Sequence, residues 1–114
     1  MLALGSVIYC RFPFDEGGSK NRYGLVIEVG PEERVGRSRY VRVAYASSKE
    51  VTRGGCLKGE FVLDQPGELR KAGLDRPTRF DLGRVRTLSY DQVLEVTGEI
   101  NLRHPEIIRA AKSL

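Results

Sequence analysis

The fold is decided by three segments, Ser6-Val-Ile-Tyr-Cys-Arg-Phe12, Gly24-Leu-Val-Ile-Glu-Val29 and Tyr40-Val-Arg-Val-Ala-Tyr45. β-Branched and aromatic residues dominate all of them, and such residues are typical of strands. The first two flank the stretch Asp15-Glu-Gly-Gly-Ser-Lys-Asn-Arg22, whose glycines, aspartate and asparagine predict a loop. The first half of the chain therefore predicts a small sheet with a polar loop at one end.

The middle of the chain predicts shorter elements. Further strands are predicted at residues 60–63, 79–82 and 84–88, the last two forming a pair hinged at Gly83. A short helix is predicted at 68–72. Gly73 ends it, because glycine readily takes the left-handed conformation at a helix C-terminus.

The C-terminal part changes to helix-like patterns. Ser89 and Gln92 have the spacing of a capping box, so a helix is predicted from Tyr90 to about Gly98. A last helix is predicted to begin at Pro105, with one apolar side formed by Ile107, Ile108, Ala111 and Leu114. Strands followed by helices indicate a single α+β domain over residues 1–114.

The composition indicates a folded, soluble protein. Of the 114 residues, 40% are hydrophobic and 30% are charged, which suits a globular domain. The start, Met-Leu-Ala-Leu-Gly, lacks the basic and apolar regions of a signal peptide, and no apolar run is long enough for a membrane span. Cys10 and Cys56 have no C-x-x-C spacing, so we expect reduced thiols and a cytoplasmic location.

The basic residues are mostly arginines. The net charge is +4, with 14 arginines and 5 lysines against 15 acidic residues. Arginine matches phosphate with a planar fork and stacks on bases, which favours a nucleic-acid surface. A genome rich in G and C would produce the same bias, and both interpretations stay open. Two stretches gather the arginines: Arg34, Arg37, Arg39 and Arg42, and then Arg76, Arg79, Arg84 and Arg86.

Taken in order, these motifs resemble the MazF/PemK family of toxin endoribonucleases. The matching positions are Gly5, Val7, Phe12-Pro13, Arg22, Leu25-Val26-Ile27 and 43–49, followed by 59–63 and 83–87. The resemblance implies an SH3-like small β-barrel with short, mainly C-terminal helices. It implies a homodimeric, sequence-specific enzyme that cleaves single-stranded RNA without metal or cofactor and leaves 2′,3′-cyclic phosphate ends. It also implies a cognate acidic antitoxin protein as partner.

The resemblance assigns the catalytic roles to Arg22 and Ser47. Arg22 matches the family's catalytic arginine, and a guanidinium can hold two phosphate oxygens while a phosphorane forms. Ser47 matches the catalytic threonine and keeps its hydroxyl. The ordinary alternatives are a surface arginine and a serine that bonds the backbone at a strand end. Residues expected to contact the substrate are Lys20, Asn21, Ser48, Lys49, Arg53 and Arg86.

Other residues limit this interpretation. The single histidine, His104, precedes a proline at a helix start, so a capping or exposed role is expected and a two-histidine acid/base pair is excluded. One histidine and two distant cysteines make no zinc set, so no metal site is predicted. Departures from the family pattern occur at Gly5-Ser6, at 17–20, at Tyr23 and at Gly83-Arg84.

Two further functions stay open. The same fold would serve a catalytically silent module that binds a protein or a nucleic acid. The similar CcdB fold acts on gyrase, but its characteristic C-terminal residues are not visible in this chain.

Overall fold

The structure, a computed structural model, describes residues 2–14, 17–30, 39–49, 51 and 57–114. It is a small α+β fold made mostly of strands. Its elements in chain order are β1 (Ser6–Pro13), β2 (Ser19–Val29), β3 (Tyr40–Ser47), β4 (Glu60–Leu63), α1 (Pro66–Ala72), β5 (Thr78–Ser89), a 3₁₀ turn (Tyr90–Gln92), β6 (Val93–Glu99) and α2 (Pro105–Lys112). Within the described residues, no helix combines the length and the apolar character that a membrane span requires.

The strands form one antiparallel sheet of six, in the order β4-β5-β3-β2-β1-β6. The three strands predicted near the N-terminus are confirmed and lie side by side at its centre. Val7 of β1 pairs with Leu25 of β2, which in turn pairs with Ala44 of β3. The predicted strand at 60–63 is confirmed as β4, which pairs with the first half of β5.

Both faces of the central strands are buried, whereas antiparallel sheets commonly leave one face to solvent. One face packs with the two helices, and its cluster includes Val7, Leu25, Leu69 and Ile107. The other face carries a second cluster, formed by Ile8, Cys10, Phe12, Val26, Val41, Val43 and Leu88. No α-helical residue of the described chain belongs to this second cluster, so the sheet itself must curl around it.

The connection between β5 and β6 requires that curl. These strands are four places apart in the sheet order, which is about 19 Å in a flat sheet with ~4.8 Å between strands. The chain links them with the three residues Tyr90–Gln92. The four Cα–Cα steps from Ser89 to Val93 reach at most about 15 Å. A flat sheet is therefore excluded, and Tyr90 and Val93 pack against the second cluster.

The sheet is nevertheless open, which corrects the closed barrel implied by the resemblance. Among the described residues, β4 and β6 each pair with one neighbour only. β4 leads within two residues into α1, and α1 packs on β6, where the Thr97 hydroxyl donates to the Ala72 carbonyl oxygen at 3.0 Å. The chain after β4 thus reaches β6 as a helix and not as a strand.

The first hairpin is longer than predicted. Residues 19–22 lie in the ladder between β1 and β2, so the prediction of a loop there is wrong. Lys20 pairs with Phe12, and the turn contains Gly17 and Gly18, both with positive φ. The polar sequence concealed a strand because the exposed end of a ladder needs no apolar residue.

Strand β5 is continuous, so the predicted pair of strands at 79–82 and 84–88 is corrected to one. Its pairing with β3 still changes at the predicted hinge. The pair Ala44–Val85 is followed by Tyr45–Asp81, which leaves three residues of β5, including Gly83, without a partner in β3. Such irregularities bend a strand, and this one helps the sheet to curl.

The helix predicted from Tyr90 to Gly98 is wrong. The capping box between Ser89 and Gln92 is present, but it opens only the 3₁₀ turn. Residues 93–99 then form β6, because the free edge of β1 supplies backbone partners from Ser6 to Cys10. Tertiary pairing overrides a helical apolar stripe here, and the β-branched residues of the segment suit a strand.

Both other predicted helices are confirmed, but the predicted apolar side of the last one is wrong. Its buried residues are Ile107 and Ala110, whereas Ile108, Ala111 and Leu114 are exposed. Gly73 ends α1 with φ +71 and donates its N–H to carbonyls of the last turn. His104 caps α2 as expected: its Nδ1 accepts the Glu106 N–H at 3.1 Å. Its Nε2 lies 2.6 Å from a Glu68 carboxylate oxygen, which ties the start of α2 to α1.

Replacing Gly73 with alanine tests the packing of α1 on β6. An added Cβ would lie 2.1 Å from the Thr97 carbonyl oxygen, and the residue has φ +71. We expect Gly73→Ala to lower the free energy of unfolding by about 2 kcal/mol or more, from backbone strain together with the clash. Urea denaturation followed by circular dichroism measures this change.

Gly67→Ala is the matched control within the same helix. A Cβ at Gly67 meets nothing within 4 Å, and α1 has Gly67 in its first turn. Alanine favours a helix over glycine by roughly 0.5–1 kcal/mol, so the stability should stay equal or rise. Equal losses in the two variants would contradict a specific close approach at Gly73.

Candidate functional site

A cleft of about 490 Å³ opens at the end of the sheet where β3 stops. Five predicted site residues line it together: Asn21, Arg22, Ser47, Ser48 and Lys49. Further lining residues are Tyr9, Tyr23, Tyr45, Ala46, Leu74, Asp75, Arg76 and Thr78. The cleft is therefore formed by β1, β2, the end of β3 and the connection between α1 and β5.

The cleft exists because β2 and β3 stop pairing at this end. Their ladder in the described residues reaches only to Gly24 and Tyr45. Beyond it, Arg22 stays paired with β1, whereas Ser47 stays paired with β5. Counting two residues past the last pair aligns Arg22 with Ser47 across the gap. One strand thus supplies a guanidinium and the next strand supplies a hydroxyl.

Arg22 is half-buried and held by its own strand. Its Nη1 donates to the Asn21 carbonyl oxygen at 3.2 Å, and its carbonyl oxygen accepts from the Cys10 Sγ at 3.4 Å. Within the described residues, no carboxylate pairs with its guanidinium. The remaining N–H groups and the positive charge are thus available to an anion in the cleft.

Ser47 takes part in a local turn at the end of β3. Its Oγ accepts the Lys49 N–H at 3.1 Å, which is the backbone bond expected of a serine at a strand end. A hydroxyl that accepts one bond still has its proton to donate. The turn fixes the Oγ, leaves Ser48 and Lys49 exposed, and keeps the Ser47 proton free for a ligand.

The far wall of the cleft comes from the connection between α1 and β5. Leu74 is buried at one end of it, and the Thr78 hydroxyl donates to the Arg76 carbonyl oxygen at 2.9 Å at the other. Arg76 forms two bonds with Asp75, at 3.2 and 3.3 Å. This neighbour, through its hydrogen bond and its charge, holds the pKa of the Asp75 carboxyl below its usual value.

Three tyrosines in the cleft, Tyr9, Tyr23 and Tyr45, were missed as site residues. Tyr9 and Tyr23 are cross-strand partners in the ladder of β1 and β2, with ring centroids 5.1 Å apart. Their pairing becomes predictable only when residues 19–22 are recognised as strand. Asp75 and Arg76 were missed as well, since no local pattern reveals which part of the sheet their loop faces.

The second arginine-rich stretch is used largely by the fold. Arg79 is nearly buried and lies 2.5 Å from a carboxylate oxygen of Glu60. Arg84 stacks over the Tyr45 ring at 4.4 Å. Arg39, from the first stretch, lies over the Tyr90 ring at 5.4 Å. Of the described arginines in the two stretches, Arg76 alone lines the cleft.

Two of the described contact residues predicted from the sequence, Lys20 and Arg86, do not join the cleft lining. Lys20 is exposed on β2, two residues before Arg22. Arg86 lies on β5, opposite Val43, and its Nη1 donates to the Val85 carbonyl oxygen at 2.9 Å. The prediction for Arg53 falls outside the described residues, as do those for Asp15, Glu16 and Cys56.

The described lining is basic. It contains three basic side chains, those of Arg22, Lys49 and Arg76, and one carboxylate, that of Asp75. Its formal charge is therefore +2. The described residues contain no group of three or more His, Cys, Asp or Glu side chains that could hold a metal ion.

No family model matches the chain, and no curated protein matches it. Any functional assignment therefore depends on the chemistry of these lining residues.

The rate of alkylation of the Cys10 thiol measures whether β1 and β2 stay paired beside Arg22. Burial raises the pKa of this thiol from 9.0 to about 12, which lowers its thiolate fraction at pH 8 about a thousandfold. Only the thiolate reacts with iodoacetamide. At pH 8 we expect the folded protein to keep Cys10 unmodified for hours, and the protein in urea to be alkylated there within minutes. Mass spectrometry of the peptide measures both.

A Cys56→Ser variant leaves one thiol and serves as the working protein. Arg22→Ala in this background is the control, because the Cys10 bond is to the backbone of residue 22 and not to its side chain. Rapid alkylation of the folded protein would mean that β1 and β2 separate readily beside the cleft.

Proposed function

We propose that this chain is an endoribonuclease toxin of the MazF/PemK type that cleaves single-stranded RNA at specific sequences without a metal. The observation that carries the proposal is the meeting of Arg22 and Ser47 in one basic cleft, from strands that stop pairing there. The order of motifs along the chain, from which both residues were predicted, also supports it. The curled sheet suits an SH3-like class left open at one side, and we place the protein in the cytoplasm.

The proposed reaction is an internal transfer. The ribose 2′-oxygen attacks the adjacent phosphorus and loses its proton, while the bond from phosphorus to the 5′-oxygen breaks and that oxygen gains a proton. The products are a 2′,3′-cyclic phosphate and a 5′-hydroxyl. Charge builds on the non-bridging oxygens in the transition state, so donors fixed before the reaction lower the barrier.

The cleft residues suit those oxygens. The Arg22 guanidinium holds two of them at once, with its orientation set by the bond from Nη1 to the Asn21 carbonyl oxygen. The Ser47 hydroxyl donates to one of the same oxygens while its Oγ stays fixed by the Lys49 N–H. Lys49 adds a positive charge near the flanking phosphates.

A binding module without catalysis is the second candidate, and one observation favours it. Among the described lining residues, Asp75 is the one carboxylate, and Arg76 keeps it ionised and paired. A carboxylate in that state is a weak proton acceptor. The described lining then binds RNA phosphates but offers no free carboxylate as a base for the 2′-hydroxyl. An RNA cleavage assay separates the two functions.

The proposal includes a small acidic antitoxin as partner. An acidic segment that folds on contact would place its carboxylates near Arg22 and Lys49, where RNA phosphates also bind. Antitoxin and RNA therefore compete for one cleft. Folding on contact costs such a segment conformational entropy. Burial of its apolar surface compensates for that cost.

The proposal also includes a homodimer, and strand β6 offers the surface for it. Leu94 and Val96 are exposed on this edge strand, at 50% and 39%. An edge strand has unpaired backbone groups, and a two-fold axis brings the same edge of a second copy against it. Pairing of two β6 strands would satisfy those groups and bury both apolar side chains.

Cleavage of a long mixed-sequence RNA tests the proposed activity. We expect new ends at a restricted set of sequences, terminated by 2′,3′-cyclic phosphate, at an undiminished rate in EDTA. Arg22→Ala should lower the rate on the order of a hundredfold, the scale lost when one oxyanion donor is removed. Arg22→Lys should recover little, because a point charge cannot hold two oxygens.

Variants of Ser47 test the role of its hydroxyl, and a variant of His104 is the control. Ser47→Ala should lower the rate less than Arg22→Ala, and Ser47→Thr should keep it because the hydroxyl remains. His104→Ala, at the helix cap far along the chain, should leave the rate unchanged. RNA left intact by a folded wild type would favour the binding module. Equal cleavage by wild type and Arg22→Ala would move the active site elsewhere.

Light scattering tests the dimer. The mass in solution should be near 26 kDa, twice the 12.8 kDa of the chain. Leu94→Glu should give monomers, because a buried unpaired carboxylate costs more than the contact provides. Ile108→Glu is the matched control, since Ile108 is similarly exposed, at 42%, but lies on α2. Monomers of the wild type at micromolar concentration would contradict the pairing.

A further inference from the structure

Tyr9 and Tyr23 form one wall of the cleft next to Arg22. They face each other across β1 and β2, and their rings are 5.1 Å apart and tilted by 54°. A tilted pair leaves part of each ring face open, unlike a stacked pair such as Phe61 and Phe80, whose planes differ by 10°. Both tyrosines are half-buried, so their orientation is fixed while part of each ring stays accessible.

The core does not explain this pair fully. Tyr23 packs against the helix-covered cluster, but Tyr9 is not among the side chains that pack on either cluster. Within the described residues, neither phenol oxygen has a hydrogen-bond partner. Partly buried tyrosines usually find one, so both phenols keep hydrogen-bonding capacity for a ligand in the cleft that they line.

The connection between α1 and β5 brings a flat, exposed polar group to the same cleft. The fork between Arg76 and Asp75 exposes donors and an acceptor in one plane, and Leu74 and Thr78 anchor its loop at both ends. Arg76 also lies close enough to Tyr23 to interact with it electrostatically. The lining thus offers both aromatic rings and a hydrogen-bonding edge to one ligand.

A nucleobase has the complementary shape, with a flat π-face and a rim of donors and acceptors. We propose that the Tyr9–Tyr23 wall stacks a base of single-stranded RNA next to the phosphate held by Arg22, and that the Arg76–Asp75 fork contacts the edge of that base. The inference rests on the proposed RNA substrate and adds its base-binding subsite. Base recognition here would contribute to the choice of cleavage sequence.

Binding of a non-cleavable RNA isolates the base contact from the chemistry. A short 2′-O-methyl RNA of mixed sequence lacks the nucleophile, and an abasic oligomer of the same length keeps the phosphates alone. We expect the base-bearing oligomer to bind on the order of tenfold more tightly, the scale of one stacked base. The chain has no tryptophan and five tyrosines, so the difference in tyrosine quenching between wild type and Tyr9→Leu reports the stacking.

Variants at Tyr9 provide the decisive comparison. Tyr9→Leu should abolish the preference for the base-bearing oligomer, and Tyr9→Phe, which keeps the ring, should retain it. Neither should change the slope of log affinity against log salt, which counts phosphate contacts, whereas Arg22→Ala should reduce that slope by about one. Tyr23→Leu should act as Tyr9→Leu does, with folding checked by circular dichroism.

Failure of the subsite and failure of the proposed function give different results. Equal binding of the two oligomers, or full retention of the preference in Tyr9→Leu, would overturn the subsite even if the enzyme cleaves RNA. Loss of the preference in Tyr9→Leu by a protein that never cleaves RNA would support the subsite and overturn the proposed catalysis. Failure to bind either oligomer would overturn both.

Discussion

The three-residue link between β5 and β6 is the constraint on which the rest of the structure depends. It joins two strands that are four places apart in the sheet, and no flat sheet can accommodate it. The sheet must curl, and the curl buries the face of the central strands that the helices leave uncovered. Each large apolar side chain enclosed there contributes about 1.5–3 kcal/mol, so a chain of this size gains a second cluster without a further layer.

The same curl determines where chemistry is available. At one end, β2 remains with β1 and β3 remains with β5, so the sheet divides into two arms with the cleft between them. Each arm is braced behind its functional residue. Cys10 bonds the backbone of Arg22, and Arg79, the partner of Ser47 in the ladder, is held by Glu60. Donors on ladders move less than donors on loops, which suits stabilisation of developing charge.

Much of the fold was predictable because apolar alternation is local. The strands at β1, β2, β3 and β4, the short helix before Gly73 and the capping role of His104 all follow from patterns a few residues long. The errors occur where tertiary pairing decides. β6 has a helical stripe and a genuine capping box, yet the open edge of β1 makes it a strand.

The candidate site shows the same difference between residues that local patterns predict and residues that tertiary structure brings together. Arg22, Ser47 and their neighbours were identified from motif order, and they meet because two predicted strands end there. The Tyr9–Tyr23 pair and the Asp75–Arg76 fork depend on register and on loop placement, which no local pattern encodes. Arginine clustering does not by itself locate the site, since Arg76 lines the cleft whereas Arg79 and Arg84 contact Glu60 and Tyr45.

The pairing of β1 with β6 has a consequence for how the chain is made. Ser6 pairs with Glu99, which lies 93 positions later in the sequence. The second edge of β1 is therefore covered only after β6 has been made. Bringing such distant segments together costs loop-closure entropy before any contact compensates for it, which slows folding. A nascent chain emerging from the ribosome would hold the first hairpin with one edge still free. The curled sheet, the second cluster and the cleft can form only near the end of synthesis. A partly made chain therefore has Arg22 in its hairpin but lacks the complete cleft.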